Sequence, residues 1–288
     1  MAFYRGGLIM MVENVYIMGD IHGRFQPVRD FWLRNKIKIM KTGRFNSENV
    51  MIFLGDSGLN YYLNERDKNF KEKLKNYPFT YFVVRGNHEE RASVLAKENP
   101  DAWHYENFWG SDVLVEKEFP HIKYALDCPN VYEIPYWTGD YSPEGEPEIK
   151  TYRTLVLPGA YSVDKDYRLS MGYAWFEGEQ LTEEEKDLGL TMIEAMDYKC
   201  DLVLSHTCPC YFEPTDLFLP FIDQTLVDKS MERYLGQIEF MLDYKCWLWG
   251  HYHAFRDYPR TDGKAKIMLY HDVVKLDQIM NDDVVEVL

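Results

Sequence analysis

Short apolar segments recur along this chain, and each of them ends at a side chain that can bind a metal ion. The first, residues 15–18, leads into Gly19, Asp20 and His22. A run this short that stops at a glycine predicts a buried strand ending in a tight turn. In extended backbone the side chains at positions i and i+2 point the same way, so Asp20 and His22 can reach one ion.

The same arrangement returns further along the chain. Residues 50–54, 81–84, 202–205 and 246–249 lead to Asp56, to Asn87 and His88, to His206, and to His251 and His253. Five of the eight histidines therefore lie at or beside predicted strand ends, which random placement does not explain. Ligands that follow neighbouring parallel strands cluster at the carboxyl edge of the sheet, where α/β folds place their sites.

Length and charge narrow the class of protein. The chain has 288 residues, enough for one large α/β core, and a formal net charge of −15 that disfavours binding of bulk nucleic acid. Five cysteines without disulfide spacing favour a reducing compartment. The sequence shows neither an apolar run of membrane-spanning length nor a leader with a cleavage site, so we expect a cytoplasmic protein with no membrane partner.

The pattern between the predicted strands indicates helices. Apolar periodicity predicts them over residues 24–36, 60–76 and 89–98, an alternation typical of α/β folds with largely parallel strands. Thr182 and Glu185 form a capping box for a helix to about Tyr198, with Leu188, Met192 and Met196 facing inward. A further helix is expected within residues 223–243, a strand at 266–271, and another strand after Asp272.

Two segments leave alternatives open. Residues 1–11 are either an N-terminal extension or an extra edge strand, followed by a single domain over 12–288. Residues 100–150 contain an aromatic cluster and then a stretch rich in glycine, proline and acidic residues. They form either peripheral core with a surface loop or a lid or insert beside the metal ions.

As an ordered set, these motifs resemble the signature of the calcineurin-like metallophosphoesterases. The motifs are Gly-Asp-x-His-Gly, Gly-Asp, Gly-Asn-His-Glu, a single strand-end histidine and Gly-His-x-His, and they span residues 19–253. The resemblance implies a four-layer α/β sandwich of two mixed β-sheets flanked by helices. It also implies hydrolysis of a small or exposed phosphomonoester or phosphodiester by direct attack of a hydroxide that bridges two metal ions.

By resemblance, the first ion takes Asp20, His22, Asp56 and His253, and the second takes Asp56, Asn87, His206 and His251. Two divalent ions about 3.5 to 4 Å apart can clamp both sides of an in-line displacement at phosphorus, and Asp56 would bridge them. Mixed nitrogen and oxygen ligands indicate Mn, Fe or Zn rather than Ca. With mostly neutral ligands, the ions keep a positive charge that attracts phosphate into an acidic protein.

The resemblance also suggests roles beyond metal binding. His88 matches the residue expected to donate a proton to the leaving oxygen, a task that suits the pKa of histidine. Arg24 and Arg91 each follow a motif turn and are candidates to bind the phosphate oxygens of the substrate. Cys208-Pro209-Cys210 is either a metal chelate or a proline turn with buried thiols.

The second motif departs from the pattern of the Ser/Thr protein phosphatases in this superfamily. Leu59 replaces the aspartate that would orient the proton-donating histidine, and Asn60 replaces a phosphate-binding arginine. This weakens the case for a protein-phosphatase activity and leaves the group that orients His88 unassigned. A non-catalytic adaptor that uses the same fold to bind a partner protein is the alternative function, and a nuclease is disfavoured by the net charge.

Overall fold

A computed structural model describes residues 11–42, 47–143, 145, 147–281 and 287–288. In chain order the strands are β1 Met11–Met18, β2 Ser47–Leu54, β3 Thr80–Val84, β4 Trp103–Phe108, β5 Ser111–Glu116, β6 Ile122–Ala125, β7 Asn130–Tyr141, β8 Pro147–Leu157, β9 Leu202–Ser205, β10 Cys246–Trp249, β11 Arg256–Asp257, β12 Ala265–Met268 and β13 Val273–Lys275. The helices are α1 Gln26–Thr42, α2 Glu65–Leu74, α3 Ala92–Glu98, α4 Lys165–Met171, α5 Glu183–Ala195, α6 Ser230–Met241 and α7 Leu276–Met280.

The strands form two mixed sheets. The first sheet has seven strands in the order β13-β1-β2-β3-β6-β5-β4, and the second has six in the order β11-β12-β10-β9-β8-β7. Strands β1, β2, β3 and β6 are parallel, as are β8, β9, β10 and β12, whereas the strands at the sheet edges pair antiparallel. The predicted pair of mixed sheets is confirmed.

Alternation along the strands explains the layers. In β1, Val15 and Ile17 join a buried cluster shared with the second sheet, whereas Tyr16 and Met18 pack with α1 residues such as Phe31. On the far face of the second sheet, alternate residues of β8, β9 and β10 pack against α5 and α6. Because successive side chains of a strand point to opposite faces, both faces of each sheet are covered. The result is a helix, sheet, sheet, helix sandwich.

The helices begin later than the periodicity predicted. The first three start at Gln26, Glu65 and Ala92 rather than at residues 24, 60 and 89. Asn64 caps α2, since its side-chain oxygen accepts a hydrogen bond from Arg66 N at 2.9 Å. The residues between each strand and its helix are therefore loop, and these loops carry the site described below.

Helix α5 confirms the capping box of Thr182 and Glu185 and part of the predicted inward face. Met196 is buried as predicted, as are Gly189 and Ile193, whereas Met192 is half-buried and Leu188 is 41% exposed. A Cβ added at Gly189 would lie 2.1 Å from Tyr234 Oη, so the helix approaches its neighbour closely along this side. The prediction for Leu188 is wrong because α5 has two overlapping apolar stripes. The close approach of the backbone at Gly189 to Tyr234 turns the other stripe toward the core.

The two ambiguous segments can now be placed. The predicted N-terminal extension, residues 1–11, lies outside the described residues except for Met11, which begins β1. Most of residues 100–150 belong to the sheets: β4, β5 and β6 complete the first sheet on the β3 side, and β7 ends the second. The tail after Asp272 adds the expected strand, β13, beside β1. Across the described residues, each helix is too short or too polar to cross a bilayer.

Candidate metal centre

The metal-binding side chains predicted from the motifs lie together where the carboxyl ends of both sheets meet. Asp20, Asp56 and Asn87 follow β1, β2 and β3 of the first sheet. His206 follows β9 of the second sheet, and His251 and His253 follow β10. Residues distant in the chain are thereby in contact: His251 N donates to Asp20 Oδ1 at 2.8 Å across 231 positions.

The first group consists of Asp20, His22 and His253, whose ligand atoms lie within 4.8 Å of one another. His22 Nε2 is 2.8 Å from His253 Nε2, so two atoms that could each accept a proton face each other. Asp20 Oδ2 is 3.8 Å from His22 Nε2 and 3.4 Å from His253 Nε2. This buried oxygen has no hydrogen-bond partner among the described residues.

The second group is built around Asp56 and Asn87. His206 Nδ1 donates to the carbonyl of Leu54 at 2.7 Å, which directs His206 Nε2 toward Asn87 Oδ1 at 2.8 Å and Asp56 Oδ2 at 3.6 Å. His251 Nδ1 lies 3.2 Å from the same Asn87 oxygen. A backbone carbonyl behind the imidazole is the usual way to orient a metal-binding histidine.

The backbone of the centre is unusual. His22, Asp56, His251 and His253 all have left-handed φ values, of 46°, 46°, 72° and 53°. Such conformations are costly for residues with a Cβ and cluster at functional sites. Gly250 permits the close approach of the sheets here, because a Cβ at that position would lie 2.2 Å from Asp20 Oδ1.

Charge inside the cluster explains the titration of its members. Burial opposes ionisation of Asp56, but the surrounding histidines, His88 and His206 foremost, hold the pKa of its carboxyl well below the usual range. Burial likewise opposes protonation of His206, yet the Asp56 carboxylate outweighs it and raises the pKa to about 9. The carboxylates of the cluster therefore stabilise positive charge at its centre.

The donor set fits divalent metal ions. Imidazole nitrogens, carboxylate oxygens and an amide oxygen converge with their lone pairs inward, and Asp20 Oδ2 lacks any other partner among the described residues. Buried acceptors arranged in this way are costly unless a cation or proton lies between them. Cys208 is buried and Cys210 half-buried, and neither belongs to a metal-binding group of the described residues.

A relay behind the centre orients Asn87. The Glu179 carboxylate accepts hydrogen bonds from Ser162 N, Ser162 Oγ and Trp175 Nε1. Because the Ser162 hydroxyl donates to Glu179, it accepts from Asn87 Nδ2, at 2.9 Å. The amide of Asn87 is therefore fixed with Oδ1 toward His206 and His251. No sequence pattern marks this relay, since Ser162 and Glu179 lie far from every motif.

We expect Ser162→Ala to weaken metal binding about 10- to 100-fold, the range typical of residues that orient a ligand. Asn87 Nδ2 loses its acceptor, so the amide can turn its nitrogen toward the ions. Titration of Mn into chelator-treated protein, followed by calorimetry, measures the affinity. Trp175→Phe is the matched control because it removes another donor to Glu179 and leaves Asn87 untouched. An equal loss in both variants would contradict a specific role for Ser162.

His88 lies beside the centre and contacts an arginine that the motifs did not predict. His88 N donates to Asp56 Oδ1 at 2.8 Å, and its Nε2 lies 3.1 Å from Nη2 of Arg168, on α4. The same guanidinium donates to Asp164 Oδ2 at 2.8 Å and to Tyr61 Oη at 3.0 Å. Arg168 is thus a side chain outside the motifs that contacts His88, while Leu59 is fully buried in the helix-side core.

The two arginines predicted to bind substrate have different positions. Arg24 is exposed and lines a cavity together with His22, His88 and Arg168. Arg91 is held by Glu185 and by the carbonyls of Gly178 and Gln180, at 2.9 and 2.8 Å, and lines neither cavity at the centre. The guanidinium of Arg91 therefore binds other parts of the protein and does not face either cavity.

The fourth residue of the Gly-Asn-His-Glu motif, Glu89, joins two loops of the site. Its buried carboxylate accepts from Ser57 Oγ, from Gly58 N at 2.8 Å and from Gly86 N at 3.2 Å. Burial and the nearby Asp56 carboxylate raise the pKa of Glu89, while these donors oppose the shift. Glu89 thereby fixes the loop that carries Asp56 against the loop that carries Asn87.

Two cavities open at the centre and share His22, His88 and Arg168. The first, which we call the Glu232 cavity, has a volume of about 280 Å³ and extends from the metal-binding side chains to Glu232. The second, the Arg24 cavity, has about 310 Å³ and is lined by Arg24, Tyr61 and Tyr62 as well as the shared residues. No residue of 100–150 lines either cavity, among the residues that the structure describes.

Comparison with known structures gives the same fold. The chain is similar to the protein TT1561 of Thermus thermophilus, with a TM-score of 0.52 and 12% identity over 96% of this chain and 98% of that one. A dimetal phosphatase from Danio rerio gives a TM-score of 0.46 and 13% identity over 92% and 96% of the two chains. A 5'-nucleotidase from Candida albicans gives 0.43 and 14% over 95% and 48%. At 12% identity the likeness to the Thermus thermophilus protein concerns the fold alone.

Sequence comparison identifies the family. A search of curated protein sequences gave no match. Residues 14–255 match the family model for calcineurin-like phosphoesterases, and this range encloses every side chain of the metal centre. With most of its length covered by that model, the chain belongs to the calcineurin-like phosphoesterase family.

Proposed function

We propose that this protein hydrolyses a small or exposed phosphomonoester or phosphodiester with the help of two divalent ions, chosen from Mn, Fe and Zn. The observation that carries the proposal is the convergence of acceptor atoms at the strand ends, where Asp20 Oδ2 is buried without a hydrogen bond to any described residue. Mixed nitrogen and oxygen donors suit these three metals.

The chain supplies two sets of ligands. Asp20, His22 and His253 would hold one ion, Asn87, His206 and His251 the other, and Asp56 lies between the sets. When bound, such ions polarise phosphoryl oxygens and make water nucleophilic at neutral pH. The acidic chain, with a net charge of −15, attracts an anionic ester only through local positive charge at this site.

Arg168 and His88 act on the ester itself. Arg168 lines both cavities and can donate two hydrogen bonds to phosphate oxygens, as guanidinium groups commonly do. A phosphate held there lies next to His88 Nε2, which is 3.1 Å from Arg168 Nη2. We propose that the His88 ring delivers a proton to the leaving oxygen, and that its Nε2 can carry this proton once Arg168 Nη2 donates to the phosphate instead of to the ring. Arg24 completes the positive lining of the Arg24 cavity.

The adaptor alternative makes a different prediction about metal content. An adaptor has no need for ions at the centre, whereas a hydrolase requires both. We expect chelator-treated protein to be inactive toward p-nitrophenyl phosphate and bis-p-nitrophenyl phosphate, and to regain turnover of at least one after Mn is added. Bound metal should also raise the unfolding temperature, because it binds the folded state alone.

Two results would contradict the proposal. Fewer than one ion per chain after incubation with Mn, measured by plasma mass spectrometry, would favour the adaptor. Turnover that survives exhaustive chelation would exclude the metal centre as its source. Cleavage of DNA at low salt would instead support a nuclease, which the charge of the chain disfavours.

All five thiols are unpaired, which supports our proposal of a reducing, cytoplasmic location.

A further inference from the structure

We propose that the organic part of the substrate occupies the Glu232 cavity and that it combines an apolar body with a protonated amine. This inference rests on the proposed function and concerns the same site. It assigns to the ester an anionic end at the metal centre and a cationic end at Glu232.

The walls of the Glu232 cavity fit an apolar body. One side is formed by the segment between the second sheet and α6, which contributes Leu217, Phe218, Leu219, Ile222 and Val227. Tyr161 and Tyr252 also line it. Apolar and aromatic walls with a few polar groups are typical of sites for small organic molecules. The volume of about 280 Å³ restricts the occupant to a small one.

Most charged residues in this lining already have partners. Arg168 pairs with Asp164, with Nε 2.8 Å from Oδ2, and Lys229 pairs with Glu213. Asp228 accepts from Gln180 Nε2 at 3.0 Å and from Ser230 N at 2.8 Å. The carboxylates of Asp164 and Asp228 are therefore satisfied by the protein itself.

Glu232 differs from them. It lies in the first turn of α6 and is 3% exposed. Its Oε1 accepts from Thr207 Oγ1 at 2.8 Å, but its Oε2 is buried without a hydrogen-bond partner among the described residues. Gln224, on the same cavity, likewise has a buried Oε1 without a partner in the described part of the chain. Two unsatisfied acceptors thus belong to residues of one wall.

The chemistry of these acceptors indicates their ligand. A buried carboxylate oxygen that lacks a donor is costly, and a cation or strong donor removes that cost. Burial raises the pKa of Glu232 to about 6, and an ammonium group beside the carboxyl favours its ionised form. An ammonium group carries three N–H donors for acceptors of this kind. An organic group without an N–H or O–H donor would leave Glu232 Oε2 unpaired.

A matched pair of substrates tests the inference. We compare 4-(2-aminoethyl)phenyl phosphate with 4-ethylphenyl phosphate, which has the same ring without the amine, using the full chain loaded with Mn at neutral pH. The kcat/KM ratio should favour the amine about 10- to 100-fold, the value of a hydrogen bond to a charged group. In Glu232→Gln, which keeps the acceptor for Thr207, the ratio should fall to near one.

Asp228→Asn is the matched control, because it neutralises a carboxylate of the same cavity that already has partners, and the ratio should persist. Equal turnover of the two esters by the unaltered protein would overturn the inference and leave the proposed function standing. A ratio that survives in Glu232→Gln would overturn it as well. Turnover of neither ester would overturn the inference, and only the absence of turnover of both nitrophenyl esters as well would overturn the proposed function.

Discussion

Replacing Asp56 by asparagine is expected to abolish measurable hydrolysis and to strip the centre of metal. Asp56 is 1% exposed, and its Oδ2 lies 3.6 Å from His206 Nε2 and 3.9 Å from His88 Nε2. Asparagine keeps the oxygen that accepts from His88 N but removes the anion between the two ligand sets. The loss should exceed the roughly 10- to 100-fold effect of changing residues that merely orient ligands.

The measurement is metal content by plasma mass spectrometry together with turnover of both nitrophenyl esters. Asp67→Asn makes the same chemical change at another buried carboxylate, which accepts from Leu63 N and lines neither cavity. This control should keep its metal and its turnover. If Asp56→Asn bound two ions and remained active, the placement of Asp56 between the ions would be untenable.

Replacing Arg168 by methionine is expected to lower kcat/KM about 10²- to 10³-fold, the typical effect of removing one donor to developing negative charge. Methionine keeps much of the side-chain volume but cannot donate to phosphate oxygens or to His88. Arg168→Lys should recover part of the loss, because a lysine retains the charge without the two-pronged geometry. Inhibition by inorganic phosphate should weaken in parallel.

The phosphate inhibition constant separates a binding role from a structural one. Arg153→Met serves as the control, since Arg153 is exposed, pairs loosely with Glu133 and lies in the second sheet away from both cavities. Metal content and unfolding temperature should match the unaltered protein in both variants. Unchanged phosphate inhibition in Arg168→Met would mean that another residue binds the phosphate group, and Arg24 would be the next candidate.

The candidate metal ligands can be predicted from sequence because each of them stands just beyond a short apolar strand. That local pattern determines which residues lie where the carboxyl ends of the two sheets meet. The structure brings together residues from both sheets there: Asp20, Asp56 and Asn87 from the first, and His206 and His251 from the second. The fold follows from the same alternation of strands and helices. Both depend on short-range signals that composition and periodicity can carry.

Arg168 shows why the rest of the site was not predictable. It lies on α4, a short helix without a buried residue, so no apolar periodicity marks its position. Its contact with His88 spans 80 positions and depends on how loops pack on the sheets. For Arg91, the position in the motif indicated substrate binding, but its guanidinium pairs with Glu185, which is distant in sequence. The positions of Arg168 and Arg91 relative to the site therefore both depend on tertiary contacts.

The origin of the ligands in two separate sheets has a consequence for assembly. His22 and His253, 231 positions apart, meet only when the first and the second sheet have docked. Closing so long a loop is slow, so the complete cluster forms late in folding. Ions bound at the centre would connect the two sheets. Occupancy of the centre would then report the integrity of the whole chain, and chelation would loosen it.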